Sequence, residues 1–302
     1  MKADLHVHTY FSGDSKLPFL SGVIKESYNT PDQVYRIAKA RGMDLIAITD
    51  HDSINGALAL GARPDVIVGC EVTAEFPNDQ VCVHLNVLDI TEHQHQEIQR
   101  LRMDIRELMP YLQAQRIFTS LNHLASRING PITGTHIAAL LPWINAVEIR
   151  NGSRLLNQNR TAVGVANGNS KAGIAGSDAH TPYGIGRTWT EAPDASTKSE
   201  FLNELRNGRV NVHGKHGGYL RMSIDILQTS YSFYIDRLHR VIRQPLDWKR
   251  QAFWWCGLLG LPLVTAPLIA AVGHFLLEAR FNRELLFDLT ANRVPFFPKK
   301  IV

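Results

Sequence analysis

Up to about residue 180, short runs of β-branched and other apolar residues alternate with longer polar or amphipathic stretches. The runs predict strands near 3–7, 44–48, 66–70, 81–87, 117–121, 146–149 and 172–175. Between them, Thr30-Pro31-Asp32 opens a helix that runs to Ala40. Thr30 is placed to cap it, and Pro31 takes the first helical position, where a missing N–H removes no helical bond. Residues 91–115 read as one long polar helix, 155–168 as another and 199–207 as a third. Strands that are often apolar throughout, alternating with helices, imply a parallel sheet covered by helices and closed into a barrel.

The pattern changes near Gly214 to Gly218, and a boundary there separates a barrel (1–216) from a helical extension (217–302). In the extension, Leu227, Tyr231, Tyr234, Leu238 and Val241 recur at helical spacing, with Arg237, Arg240 and Arg243 among them. Residues 251–277 then contain no Asp, Glu, Lys or Arg. That uncharged run of 27 residues is long enough to cross a bilayer. Trp254, Trp255 and the basic residues upstream fit an interfacial, cytoplasmic-side entry. Pro262 and Pro267 fit a re-entrant or interfacial segment instead, and a hydrophobic arm packed on the barrel or on a partner is the alternative outside lipid.

A length of 302 residues suits one large α/β barrel or two smaller domains, and 44% apolar residues can fill a sizeable core. The net charge of +4 is uneven: residues 216–302 carry 11 Lys and Arg against 6 Asp and Glu, whereas the remainder is nearly balanced. Three cysteines (Cys70, Cys82, Cys256) form no spaced pair, which points away from a disulfide framework and towards a reducing compartment. Met1 leads straight into a strand without a signal-peptide pattern. The expectation is therefore a cytoplasmic barrel attached through its tail to the inner face of a membrane. No nucleic-acid-binding motif is evident.

The chemistry lies at the strand ends. His6 and His8 end the first strand, His51 the second and Glu71 the third. His84 lies in the fourth, His123 follows the fifth, Glu148 closes the sixth, and Asp178 and His180 follow the seventh. In a βα barrel these ends meet on one face, so a single pocket can gather all of them. A histidine pair at i, i+2 on a strand points both rings to the same side. Imidazole mixed with carboxylate suits Zn, Mn or Fe better than Mg or Ca. Nine candidate ligands (His6, His8, Asp14, His51, Glu71, His84, His123, Asp178, His180) exceed one tetrahedral site and suffice for two or three divalent ions, with Glu71 a bridge. Ions about 3.5–4 Å apart can share a hydroxide and clamp a phosphate. Asp50 and Asp52 are expected to orient His51 or cap the next helix. Arg127, Arg150 and Arg187 each follow a strand-end motif; they are candidates to grip phosphate, with salt bridges in the barrel rim as the alternative.

These motifs resemble those of the PHP (polymerase and histidinol phosphatase) family. Asp4-x-His6-x-His8-Thr9 matches its first motif, Thr49-Asp50-His51-Asp52 its second and Gly176-Ser177-Asp178-Ala179-His180 its last, with Glu71, His84 and His123 in order between. Gly186-Arg187 and the run from Leu205 to Val210 are similar to its end, so the resemblance covers about residues 1–215. Where many relatives carry proline after the fifth-motif histidine, Leu124 follows His123. The resemblance implies a distorted seven-stranded (β/α)7 barrel with a trinuclear site. On that pattern His6, His8, Glu71 and Asp178 hold one ion, Glu71, His84 and His123 a second, and Asp14, His51 and His180 a third. It further implies hydrolysis of a phosphate ester of a small metabolite or nucleotide by a metal-bridging hydroxide, with Glu71, Asp178 and His180 central to catalysis. The same hydroxide could attack an amide or carboxylic ester, and a non-catalytic, metal-stabilised module of a membrane assembly is the reading from another class.

Overall fold

The computed structural model describes residues 1–15, 21–79, 81–127, 130–243 and 265–297. Its strands are β1 (Lys2–Asp4), β2 (Leu45–Ile48), β3 (Val66–Phe76), β4 (Val81–Leu88), β5 (Phe118–Leu121), β6 (Ala146–Asn151), β7 (Ala172–Gly176), β8 (Thr188–Glu191) and β9 (Asn211–Gly214). The helices are α1 (Pro31–Ala40), α2 (Asn55–Leu58), α3 (Glu92–Leu101), α4 (Ile105–Ala114), α5 (Gly134–Leu140), α6 (Leu156–Gly168), α7 (Lys198–Arg206), α8 (Tyr219–Arg243) and α9 (Thr265–Ala291).

The strands form one sheet in the order β7-β6-β5-β4-β3-β2-β1-β8-β9. All seven expected strands are present, but among the described residues the sheet has nine, because β8 and β9 pair antiparallel beyond β1. β4 also runs antiparallel to both β3 and β5, so the expected parallel pairing holds only for β1–β2–β3 and β5–β6–β7. Beyond β1 the chain stays extended and pairs with the chain beyond β7. Val7 bridges Ala179 in parallel, the Asp178 N–H donates to His6 O at 2.7 Å, and the His8 N–H donates to Ala179 O at 3.1 Å. This seam curls the sheet into a nearly closed barrel.

Alternation along each strand divides its side chains between two cores. Leu45 and Ala47 face inwards with Ala3, Leu5, Ile67, Phe118, Ala146 and Ile174, and Phe201, Leu202 and Leu205 of α7 join the same cluster. Ile46 and Ile48 face outwards onto Val34 and Ala38 of α1. Each such Val, Leu, Ile or Phe side chain contributes about 1.5–3 kcal/mol when fully buried. A third cluster lies between β3–β6 and the helices outside them.

Thr30 caps α1 as expected, its hydroxyl accepting the Gln33 N–H at 3.2 Å, with Pro31 at the first position. The single helix expected over 91–115 is instead two. Asp104 caps a fresh start by accepting the Arg106 N–H at 2.9 Å, and the Arg102 carbonyl accepts the Glu75 N–H at 2.9 Å. The Arg102 guanidinium also donates to Thr73 O at 3.1 Å. Docking onto β3 therefore outweighs helical continuation at residues 102–104.

Past Gly218 the chain enters α8, whose Asp225 accepts from Thr181 and from Arg221. α9 packs across the barrel's outer helices: Leu285 and Leu289, with Val294 behind them, join the cluster around β3–β6. Thr161 of α6 donates to Asn282 at 2.8 Å, and the Phe297 N–H donates to Gly164 O at 3.1 Å. Of the uncharged run, 251–264 lies outside the described residues. Among the described residues no helix is long and apolar enough to cross a membrane.

Candidate metal centre

At the carboxyl ends of the strands the side chains converge on Glu71. β3 turns Cys70 and Val72 into the outer core and Glu71 to the opposite face. Thr73 pairs directly with His84, so His84 lies diagonally across from Glu71 on the same face. His51 reaches Glu71 through a parallel bridge that prolongs β2. The extended seam brings in His6 and His8.

The Glu71 carboxylate is fully buried and its oxygens face two sets of rings. Oε2 lies 3.2 Å from His6 Nε2, 3.3 Å from His8 Nε2 and 3.2 Å from His51 Nδ1. Oε1 lies 2.9 Å from His123 Nε2 and 3.4 Å from His84 Nδ1, and accepts the Asn122 amide at 2.8 Å. Asp178 adds a second carboxylate, with Oδ1 3.5 Å from His8 Nε2, 3.5 Å from His180 Nδ1 and 3.7 Å from His6 Nε2. Three-residue groups with donor atoms close enough to share an ion are His6/His8/Glu71, His51/Glu71/His84, His6/His123/Asp178 and His8/His51/His180.

Eight of the nine expected ligands thus meet. Asp14 does not: it is exposed and paired through its backbone with Lys25. The carboxylate that this segment brings towards His180 is Glu26, with Oε1 3.9 Å from Nε2.

The histidines are oriented from behind. His6 Nδ1 lies 2.9 Å from Glu148 Oε1, which leaves Nε2 facing the centre. Glu148 Oε2 accepts the His123 N–H at 3.0 Å and the Asn151 amide at 2.8 Å. His8 Nδ1 lies 3.1 Å from Ser12 Oγ, which donates to Asp50 at 2.7 Å. Asp50 therefore orients His8 through Ser12, whereas Asp52 accepts the Thr73 N–H at 2.8 Å and lies 3.6 Å from Arg102. Such partners fix the tautomer and aim of a ligating imidazole. His123 and Asp178 sit at φ +24° and +49°, a left-handed conformation that costs a non-glycine residue about 1–3 kcal/mol and persists at sites where the surroundings impose it.

Electrostatics follow from this crowding. Burial alone would raise the Glu71 carboxyl, but His6, His84 and His51 hold it well below the usual carboxylate range. Burial is likewise outweighed at Asp178 by His6 and Arg154. Burial would lower His8, yet hydrogen bonds to Asp178 and Glu71 push it up to about 9. His180 moves the other way, to about 4, through burial and the charge of His8. The carboxylates thus draw positive charge onto neighbouring imidazoles. Glu71 Oε2 is buried without a hydrogen bond, although three ring nitrogens lie within 3.3 Å. Six imidazoles and two carboxylates in this arrangement fit borderline divalent metals such as Zn, Mn or Fe.

The three candidate arginines make other contacts. Arg127 is exposed and lines a cavity of about 720 Å³ beneath α9 that none of the centre's side chains touches. Arg150 donates to Gly214 O at 3.2 Å, and Arg187 donates to Tyr183 O at 2.8 Å and lies over the Tyr183 ring. The arginine at the centre is Arg154, whose Nη2 donates to Asp178 Oδ2 at 3.1 Å while its Nε is buried without a hydrogen bond. Arg154 follows a register shift between Glu148 and Arg150 and the turn Gly152–Ser153.

A barrel with strand-end histidines and acids converging on one buried carboxylate defines a candidate metal-dependent hydrolase. Residues 157–210 match the PHP-associated family. An uncharacterised protein of Methanocaldococcus jannaschii is 35% identical over 77 residues, covering 24% of this chain and 44% of that protein. The chain thus spans less than half of that relative's length. In fold, PsfC from Pseudomonas syringae is similar at 14% identity and a TM-score of 0.50, covering 77% of this chain and 97% of PsfC. A candidate metal-dependent phosphoesterase from Bifidobacterium adolescentis is 14% identical with a TM-score of 0.44, covering 69% and 96%.

Proposed function

We propose that the protein is a metal-dependent phosphoesterase acting on a phosphate ester of a small metabolite or nucleotide. The observation that carries this reading is the division of Glu71, with one oxygen against His6, His8 and His51 and the other against His84 and His123. A single carboxylate so placed is suited to hold two ions side by side. His6, His8 and Asp178 would complete the first, His84 and His123 the second, and His51 with His180 a third. Bound ions would activate water as a nucleophile and neutralise the phosphoryl oxygens.

The chain's own contribution is positional. Glu148, through His6, and Asp50, through Ser12 and His8, keep the Nε2 atoms aimed inwards. Arg154 has a fixed charge beside Asp178 and an unpaired Nε, the donor geometry that suits a phosphate oxygen. Burial of nearly every ligand excludes bulk water, which strengthens each of these interactions.

The test is turnover by the full chain, stripped with chelator and reloaded with Mn, Zn or Fe, against phosphate monoesters, phosphodiesters, amides and carboxylic esters. The expected result is metal-dependent release of phosphate or cleavage of a phosphodiester. Arg154→Ala should raise KM for that substrate at least tenfold. Turnover of amides or carboxylic esters alone would replace the phosphoesterase reading, and no turnover of any class would favour a non-catalytic module.

A further inference from the structure

Glu278, on α9, is a buried carboxylate far from the barrel in sequence yet bonded to two of the segments around the centre, those after β5 and after β6. Its Oε1 accepts from Ser126 Oγ at 3.4 Å. Its Oε2 accepts the Arg127 N–H at 3.2 Å and the Gln158 side-chain amide at 2.5 Å. Gln158 also donates to Ala125 O at 3.0 Å and accepts the Leu155 N–H at 2.9 Å.

These partners are not scattered. Ala125, Ser126 and Arg127 form the turn just after His123, closed by the Ser126 N–H donating to His123 O at 2.8 Å. His123 is the ligand candidate with the φ of +24°, so its backbone depends on its surroundings to stay in place. Leu155 and Gln158 begin α6 immediately after Arg154, the residue that binds Asp178. Burial would lower the Arg154 guanidinium, but Asp178 and then Glu278 raise it, so the tail carboxylate also stands close enough to support that charge.

We propose that Glu278 is a positioning residue that clamps the loop after β5 to the loop after β6, making α9 part of the support of the metal centre. It touches none of the candidate ligands. It acts on His123 through Ser126 and Arg127, and on Asp178 through Gln158 and Arg154. The alternative is that Glu278 merely helps α9 to dock, as Leu285 and Leu289 do from the same helix.

The inference rests on the metal-centre reading, and the experiment separates the two. Chelator-stripped full chain is titrated with cobalt(II), followed by visible absorption, for the wild type, Glu278→Gln, Ser126→Ala and Leu285→Ala. Loss of an orienting partner should weaken one cobalt ion about tenfold or more. That change is expected in Glu278→Gln and, more weakly, in Ser126→Ala, where α9 itself is untouched. The absorption of the ion that His123 holds should alter, while the other ions bind within about twofold. Leu285→Ala should lower Tm and leave the titration curve unchanged. A wild-type curve for Glu278→Gln, or a weakening that only tracks loss of Tm across all three variants, would overturn the inference alone. A wild-type chain that takes up no cobalt would refute the metal-centre reading and the inference with it.

Discussion

At the scale of single residues, the proposed centre sets protons against metal for the same nitrogen atoms. With no ion bound, His8 stays protonated up to about pH 9, because Asp178 and Glu71 outweigh its burial, and His6 is held well above its ordinary value by Glu71, Glu148 and Asp178 despite burial. An ion must displace those protons. Zinc binding at pH 7 should therefore release at least one proton per chain, and affinity should rise with pH towards 9 as the competing proton is lost. Calorimetric titration in buffers of different ionisation enthalpy measures the release; binding with none would contradict the assigned protonation. The set of converging side chains was largely legible in the sequence because strand ends must meet on one barrel face. Asp14 was not, since its place depends on a segment outside the regular strands, and residue spacing does not say that Glu26 approaches His180 instead. Arg154 was missed for a similar reason: the register shift in β6 leaves no mark in residue type.

At the scale of elements, the seam between the chain beyond β1 and the chain beyond β7 decides whether the centre forms. Gly176 ends β7 against His6, and a Cβ there would lie 2.4 Å from the His6 Cβ and 2.8 Å from its backbone nitrogen. Gly176→Ala should force the seam apart, cost about 1–3 kcal/mol or more, and weaken metal binding in the same variant. Denaturant unfolding beside a metal titration checks both, and an unchanged midpoint would show that the seam is slack. The seven predicted strands have apolar runs facing two cores, so they were visible. β8 and β9 are short segments, Thr188–Glu191 and Asn211–Gly214; β8 buries threonines instead of an apolar run, and β9, at the sheet edge, is only partly buried, so no apolar run announces them. The division of 91–115 into α3 and α4 is a tertiary effect: Arg102 is bound by β3, which lies far away in sequence.

At the scale of the whole molecule, the extension joins two properties. α9 is built into the outer core, yet Leu220, Tyr231 and Ile242 of α8 and Leu276 and Phe287 of α9 remain exposed. With the basic excess of residues 216–302 and the uncharged stretch beyond α8, this surface supports the proposal that the tail meets a membrane. The full chain should sediment with anionic vesicles. Salt should weaken the binding without abolishing it, since each nearby basic residue adds about 1 kcal/mol while apolar insertion is independent of charge. A chain left wholly in the supernatant would end that proposal without touching the barrel. The proposed function rests on the candidate metal centre, and elemental analysis of the protein after loading and removal of excess metal tests it most directly. Two to three ions per chain are expected for the wild type, and at most one for Glu71→Gln, because one carboxylate is proposed to hold two of them. At most one ion in the wild type, or an undiminished count in Glu71→Gln, would contradict the account.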